Sequence, residues 1–238
     1  MIKLRIAAAA VALCAFAPAQ AVVTVGSLYN TGVQDNNTVT TGNGVDPHWS
    51  VAYVNVPQTK STGTLLGETS AYNGATNDKF PIGPWLAEDA TSRWATPTSD
   101  AANVTDKDTT NYVYTERFSL AGFDVASVSF KGRFAADNGV SAIRLNGQLL
   151  SASGGSFSDW TSFDSSGASF VEGMNTLEFE IFNSATTSAF NPTGLRVEVQ
   201  ATGDVLGTVP EPASWALMLV GFGMVGVSVR RRRTFVAA

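Results

Sequence analysis

The chain of 238 residues has one cysteine, Cys14, and one histidine, His48, and it is short of positive charge outside its two ends. Cys14 lies in Met1–Ala21, where Lys3 and Arg5 precede an apolar run from Ile6 to about Pro18, followed by Ala19-Gln20-Ala21. A basic start, a short apolar stretch and a small-x-small cleavage pattern are the anatomy of a secretory signal peptide, too short in its apolar part for a stable span. Cleavage after Ala21 leaves a mature chain without thiols, so disulfides, thiolate metal sites and cysteine nucleophiles are excluded and the fold must be held by its core. A single histidine excludes histidine-rich metal sites. With no Gly-x-Ser-x-Gly elbow either, the sequence offers no Ser-His-Asp arrangement, and Asp46-Pro47-His48-Trp49 reads as a turn.

The shortage of positive charge sharpens once the ends are set aside. Six of the 15 basic residues (Lys3, Arg5 and Arg230 to Arg233) and one of the 20 acidic ones (Glu211) lie there, which leaves residues 22–208 with 9 basic and 19 acidic residues, a net of −10. Phosphate binding depends on clustered Lys and Arg, so no nucleic-acid partner is expected.

What those residues do contain is Thr, Ser, Gly, Asn and aromatics in alternating patterns. Leu195 to Ala201, Leu177 to Ile181 and Val128 to Phe134 alternate apolar and polar residues, as strands do with one face in a core and one in water. Asn146-Gly147, between Ile143-Arg144-Leu145 and Gln148-Leu149-Leu150, is the dipeptide best suited to a type I′ hairpin turn. Further strands are expected near residues 22–29, 49–56 and 111–120, with loops at 57–63, 81–84 and 154–158 and a long mobile loop over Asn30 to Gly44. The fold class that follows is all-β, a single jelly-roll-type β-sandwich. About 187 residues suffice for one domain with a sizeable core.

The C-terminal stretch has a different character. Val209-Pro210-Glu211-Pro212 leads into Ala213 to Val229, 17 residues without a charge, and then Arg230-Arg231-Arg232-Arg233. At 1.5 Å per residue this is about 25 Å of helix, the short end of a transmembrane span, with the arginines holding its end in the cytoplasm. Pro-Glu-Pro followed by Ala-Ser-Trp-Ala-Leu-Met-Leu-Val-Gly-Phe-Gly-Met-Val-Gly and four arginines resembles the PEP-CTERM protein-sorting tail of Gram-negative bacteria. The resemblance implies export through the Sec translocon and processing by an exosortase near Pro210, Glu211 and Pro212. It divides the chain into a signal peptide (1–21), an exported domain (22–208) and a sorting tail (209–234).

Within the exported domain, five stretches are similar to exported β-sandwiches that often accompany such a tail: Gly44-Val45-Asp46-Pro47-His48-Trp49; Gly83-Pro84-Trp85-Leu86; Ser92-Arg93-Trp94; Ala136-Asp137-Asn138-Gly139 with the Asn146-Gly147 hairpin; and Pro192-Thr193-Gly194-Leu195-Arg196-Val197-Glu198. The hairpin region also resembles galactose-binding-like jelly rolls, which implies a carbohydrate-binding-like module.

Sugar rings stack on flat aromatic surfaces while a few polar groups fix their orientation. Trp49 and Trp94, beside strand-like sequence, read as core; Trp85 and Trp160, on loops, are the candidate stacking residues. Arg93, Arg133 and Arg144 are the candidate donors to sugar hydroxyls. Glu178 and Glu180 share a strand face, the pattern of a solvated surface rather than of the facing carboxylate pair that glycoside hydrolysis needs. Asp106, Asp108 and Asp137 lie in oxygen-rich stretches of the kind that hold Ca²⁺, although neither matches an EF-hand loop. No other cofactor and no catalytic residue is expected. The expected function is that of a non-catalytic surface or extracellular protein associated with exopolysaccharide in a biofilm matrix. The alternatives are a structural or adhesive matrix protein without a sugar ligand, and a secreted glycosidase or lyase.

Overall fold

The structure is a computed structural model that describes residues 22–54, 65–73, 81, 83–99, 110–184, 191–206 and 212–234. The expected signal peptide, the loop at 57–63 and the Ca²⁺ candidates Asp106 and Asp108 lie outside the described residues.

Val22–Leu206 forms one compact unit, and it is all-β among its described residues. The three alternating stretches read from the sequence are strands: β6 (Ser129–Asp137), β10 (Met174–Asn183) and β11 (Gly194–Asp204). β1 (Val22–Thr24), β2 (Gly44–Val54), β3 (Leu65–Asn73), β4 (Ala95–Thr96) and β5 (Thr110–Ser119) precede them, with β7 (Gly139–Leu145), β8 (Gln148–Leu149) and β9 (Thr161–Asp164) between β6 and β10. Hydrogen bonding joins them in one antiparallel sheet of order β8-β7-β10-β5-β2-β3-β4-β11-β6-β9, with β1 on β11. The sheet curls so that its inner face meets itself. Phe134 of β6 and Phe163 of β9 stand edge-on to Phe179 of β10, at centroid distances of 5.8 and 5.2 Å, and Trp49 of β2 closes on the same ring at 5.9 Å. The period of two explains why these strands form. On β11, Leu195, Val197, Val199 and Ala201 enter the core, while Arg196, Glu198 and Gln200 belong to the other face.

Asn146 and Gly147 both have positive φ (52° and 79°), so the hairpin joining β7 to β8 is of the expected primed type. The long mobile loop expected over Asn30 to Gly44 is instead a small folded hairpin. Val33 bridges Val39, the Gln34 amide donates to the Thr38 carbonyl, and Thr31, Gly32 and Val33 are buried. Its polar composition concealed that its backbone groups find partners within the loop and on β11, where Thr31 donates to Val197.

The tail contains α1 (Pro212–Thr234). Proline is favoured at a first helical position, where its missing N–H costs nothing, and the arginines lie at the end where the helix dipole favours positive charge. Leu217, Leu219, Phe222, Met224 and Val227, which point in different directions around the helix, are all exposed. Among the described residues no helix is long and apolar enough to cross a membrane.

Candidate functional site

The outer face of β11, β6 and β9 carries a dense arrangement of polar side chains. Register sets Arg133 opposite Glu198 on one side and Ser162 on the other, and Lys131 opposite Gln200 and Asp164. Directly opposite residues share a face, so each set forms a row across three strands. Glu198 accepts from Arg133 Nε at 2.8 Å and from Ser92 Oγ at 2.8 Å, and Arg133 Nη2 also lies 2.7 Å from its carboxylate. Arg196, 1% exposed, lies beside it. Its Nε donates to Ser92 Oγ at 2.7 Å, its Nη1 to the Ala87 carbonyl, and its Nη2 is 2.9 Å from Asp89. Asp89 in turn accepts from the Thr91 and Ser92 amides. Its limited burial raises the carboxyl's pKa, but the Thr91 amide and the Arg196 guanidinium outweigh that and hold Asp89 below the usual carboxylate range. Arg196 thus fastens the segment 87–92 to the sheet.

Trp160, half-buried just before β9, lies under both guanidiniums, 4.4 Å from Arg133 and 4.9 Å from Arg196. Stacking on a ring immobilises a guanidinium without using its N–H groups. From Arg133 an open groove of about 650 Å³ runs along the sheet, lined by Lys131, Ser162, Glu198 and Gln200 and by Thr24, Asn30, Asn37 and Thr91 around it. Glu198 is the one carboxylate among its described lining residues.

Of the five residues expected to bind ligand, the structure brings Trp160 and Arg133 to this face. Trp85 is 7% exposed, packs on Trp94 at 4.3 Å, and hydrogen-bonds the carboxyl of Asp137, so it belongs to a second apolar cluster beneath the 83–96 segment. Arg93 pairs with Glu88 at 2.7 Å and donates to the Thr40 and Gly42 carbonyls, clamping the folded 30–44 loop. Arg144 pairs with Glu180 across β7 and β10 at 2.9 Å. Trp49 and Trp94 are core residues, 1% and 0% exposed. Arg196, Glu198, Lys131 and Gln200 were visible in the sequence only as the polar phases of β11 and β6.

Asp137, the described Ca²⁺ candidate, is buried. Burial pushes its carboxyl up to about 6 against the opposing bond from Trp85, and Thr193 Oγ1 donates to its carbonyl at 2.6 Å. Among the described residues no group of three or more His, Cys, Asp and Glu is placed to hold a metal. Asp46 to Trp49, read from the sequence as a turn, lie instead within β2, where its register against β3 shifts between Val45 and Ser50. Asp46 accepts from the His48 and Trp49 amides at 3.0 Å each, while the His48 ring stacks on Tyr29 at 3.6 Å.

The tail is decided by its own sequence, since Pro-Glu-Pro, apolar helix and arginines occur in order and residues 208–233 match the family model of a protein-sorting motif. It is a PEP-CTERM protein-sorting motif. The PEP-CTERM motif implies export and processing by an exosortase. No curated protein matches the chain. Among solved structures, the chain is similar to a beta-glucosidase from Kluyveromyces marxianus in complex with glucose (11% identity, 73% of this chain and 20% of that one, TM-score 0.34). It is also similar to an alpha-xylosidase from Xanthomonas citri (9%, 78% and 19%, TM-score 0.29) and to the PA14 sugar-binding domain of an RTX adhesin (14%, 69% and 93%, TM-score 0.29). The chain spans about a fifth of the length of the two enzymes. The scores lie below the level at which two chains share a fold.

Proposed function

We propose that this PEP-CTERM protein is a non-catalytic cell-surface or extracellular protein that associates with exopolysaccharide of the biofilm matrix through the outer face of β11, β6 and β9. The observation that carries the reading is the rows of donors and acceptors along the groove, Ser162, Arg133 and Glu198 beside Lys131 and Gln200. A hydroxyl-rich chain lying along the strands meets such groups at each residue, and the Trp160 ring beneath Arg133 holds that guanidinium in place to receive it. Glycoside hydrolysis needs two facing carboxylates, whereas Glu198 is held by two arginines and a serine, which supports binding rather than turnover.

In this reading Met1–Ala21 is a signal peptide removed after passage through the Sec translocon, and the sandwich winds as a jelly roll. Residues 213–229 cross the inner membrane until an exosortase acts near Pro210 to Pro212. Structural Ca²⁺ at Asp106, Asp108 or Asp137 belongs to the same reading, and an unchanged melting temperature in chelator would remove it.

The test is affinity gel electrophoresis of the full chain in detergent, with and without the producer's own exopolysaccharide in the gel. Retardation that Arg133→Ala abolishes is the expected result, and unchanged migration would refute the polysaccharide part. An intact mass that still includes Arg230 to Arg233 in the secreted form would make the tail a permanent anchor. A second reading, an adhesive matrix protein without a sugar ligand, is favoured by the exposed Leu149, Val171 and Met174 at one end of the sandwich. It predicts self-association that rises with protein concentration and ignores added sugar.

A further inference from the structure

Arg133 is the most exposed cation of the network on this face. Its side chain keeps 46% of its surface, although it is held from below by the Trp160 ring and from the side by Glu198. Glu198 engages Nε and Nη2. A guanidinium has five N–H groups, and Nη1 of Arg133 has no partner among the described residues. The charge of Glu198 is shared with Ser92 and lies 3.7 Å from the buried Arg196, so it does not neutralise Arg133 alone. Lys131 stands two residues earlier on the same exposed face, about 6.7 Å along the strand. Across the β6–β9 register Asp164 faces Lys131 and competes for it. The Ser166 hydroxyl first, then the Ser166 amide, which donates to Asp164 at 2.8 Å, and the nearby Lys131 keep the Asp164 carboxyl below the ordinary range.

A planar, immobilised fork with unused N–H groups is matched best by an acceptor that is itself planar and has two oxygens. We propose that the groove recognises a sugar carboxylate, as in a uronic acid, with Arg133 as the bidentate clamp and Lys131 as the second cation. This rests on the polysaccharide reading and specifies its ligand class. The domain's net charge of −10 repels a dense polyanion, but at physiological salt that repulsion is screened over about 8 Å, whereas the clamp acts at contact. The preferred ligand is therefore sparsely carboxylated.

Titration calorimetry of the full chain in detergent, with a cello-oligosaccharide of six units bearing one glucuronic acid and with its carboxyl-reduced counterpart, tests the assignment. The acid is expected to bind about tenfold more tightly or better. Arg133→Gln should remove that difference, and Lys131→Gln should reduce it without touching the fold. Asp164→Asn, at an exposed position, should tighten binding of the acid and leave the neutral oligosaccharide unchanged, an opposite sign that no loss of structure produces. Equal binding of the two probes, or equal loss for both in Arg133→Gln, overturns the carboxylate assignment and leaves polysaccharide binding standing. Binding of neither probe also overturns it, and the affinity gel then decides the polysaccharide reading on its own.

Discussion

Glu116 lies in the centre of β5, 1% exposed, with one carboxyl oxygen 3.4 Å from the Tyr29 amide and the other without a hydrogen bond among the described residues. Burial, reinforced by the nearby Asp46, pushes its carboxyl up to about 9. An acid whose pKa is higher folded than unfolded stabilises the fold fully below the unfolded value, near 4.5, and loses that contribution as pH rises toward 9. Stability should therefore fall by roughly 1.4 kcal/mol per pH unit across that window from this group alone. Asp137, raised to about 6, adds to the lower part of it. Glu116→Gln is expected to flatten the slope and to be more stable than the parent at pH 8, as read by urea denaturation at several pH values. Arg196 shows the opposite case of a buried charge set beside two carboxylates, with Nε and Nη1 hydrogen-bonded. Arg196→Ala leaves Asp89, Glu198 and the Ala87 carbonyl without it and should cost about 3 to 5 kcal/mol, whereas Asp89→Asn, at a half-exposed partner, should cost under about 1 kcal/mol.

Among the elements, β6 is confined most closely, between β11 and β9. A Cβ on Gly132 would lie 2.5 Å from the Glu198 carbonyl and 2.5 Å from the Phe163 ring, so β9 approaches β6 only because this position has no side chain. Gly132→Ala should displace Phe163 from its packing on Phe179 and Phe130 and lower stability by about 1 to 3 kcal/mol, measured as a fall in the denaturation midpoint. The β7–β8 hairpin combines local and distant support. Its turn needs two positive φ angles, and Asn146 also donates to Ser169 and Asn175 and accepts from the Thr176 amide. That strand, hairpin and helix were legible in the sequence follows from their being local. Alternation over Leu195 to Ala201 requires only neighbours, and so do Asn146-Gly147 and the apolar run closed by four arginines. The 30–44 loop was misread because its order comes from contacts far along the chain, such as the Arg93 guanidinium on the Thr40 and Gly42 carbonyls.

For the whole molecule, Val22–Leu206 carries its own core and the apolar helix belongs to the other unit, so the two respond to different solvents. The full chain is expected to partition into the detergent phase on cloud-point separation, and a chain ending at Leu206 to remain in the aqueous phase with its melting temperature within a few degrees. A truncated chain that fails to melt cooperatively would show that the sandwich depends on the tail. The sequence by itself determined the sorting motif, the β class, the strand phases and the acidity of the exported domain, because each depends on composition or on residues within one element. Only the tertiary structure decided the face. Arg133 and Glu198 are 65 residues apart, and Ser92 and Arg196 are 104 apart. Strand register and chain closure bring such pairs together, and no local pattern encodes them. The same closure buried Trp85, tied Arg93 to Glu88 and Arg144 to Glu180, and set Arg133 over Trp160 on one face, which separates five residues that were equal candidates in the sequence.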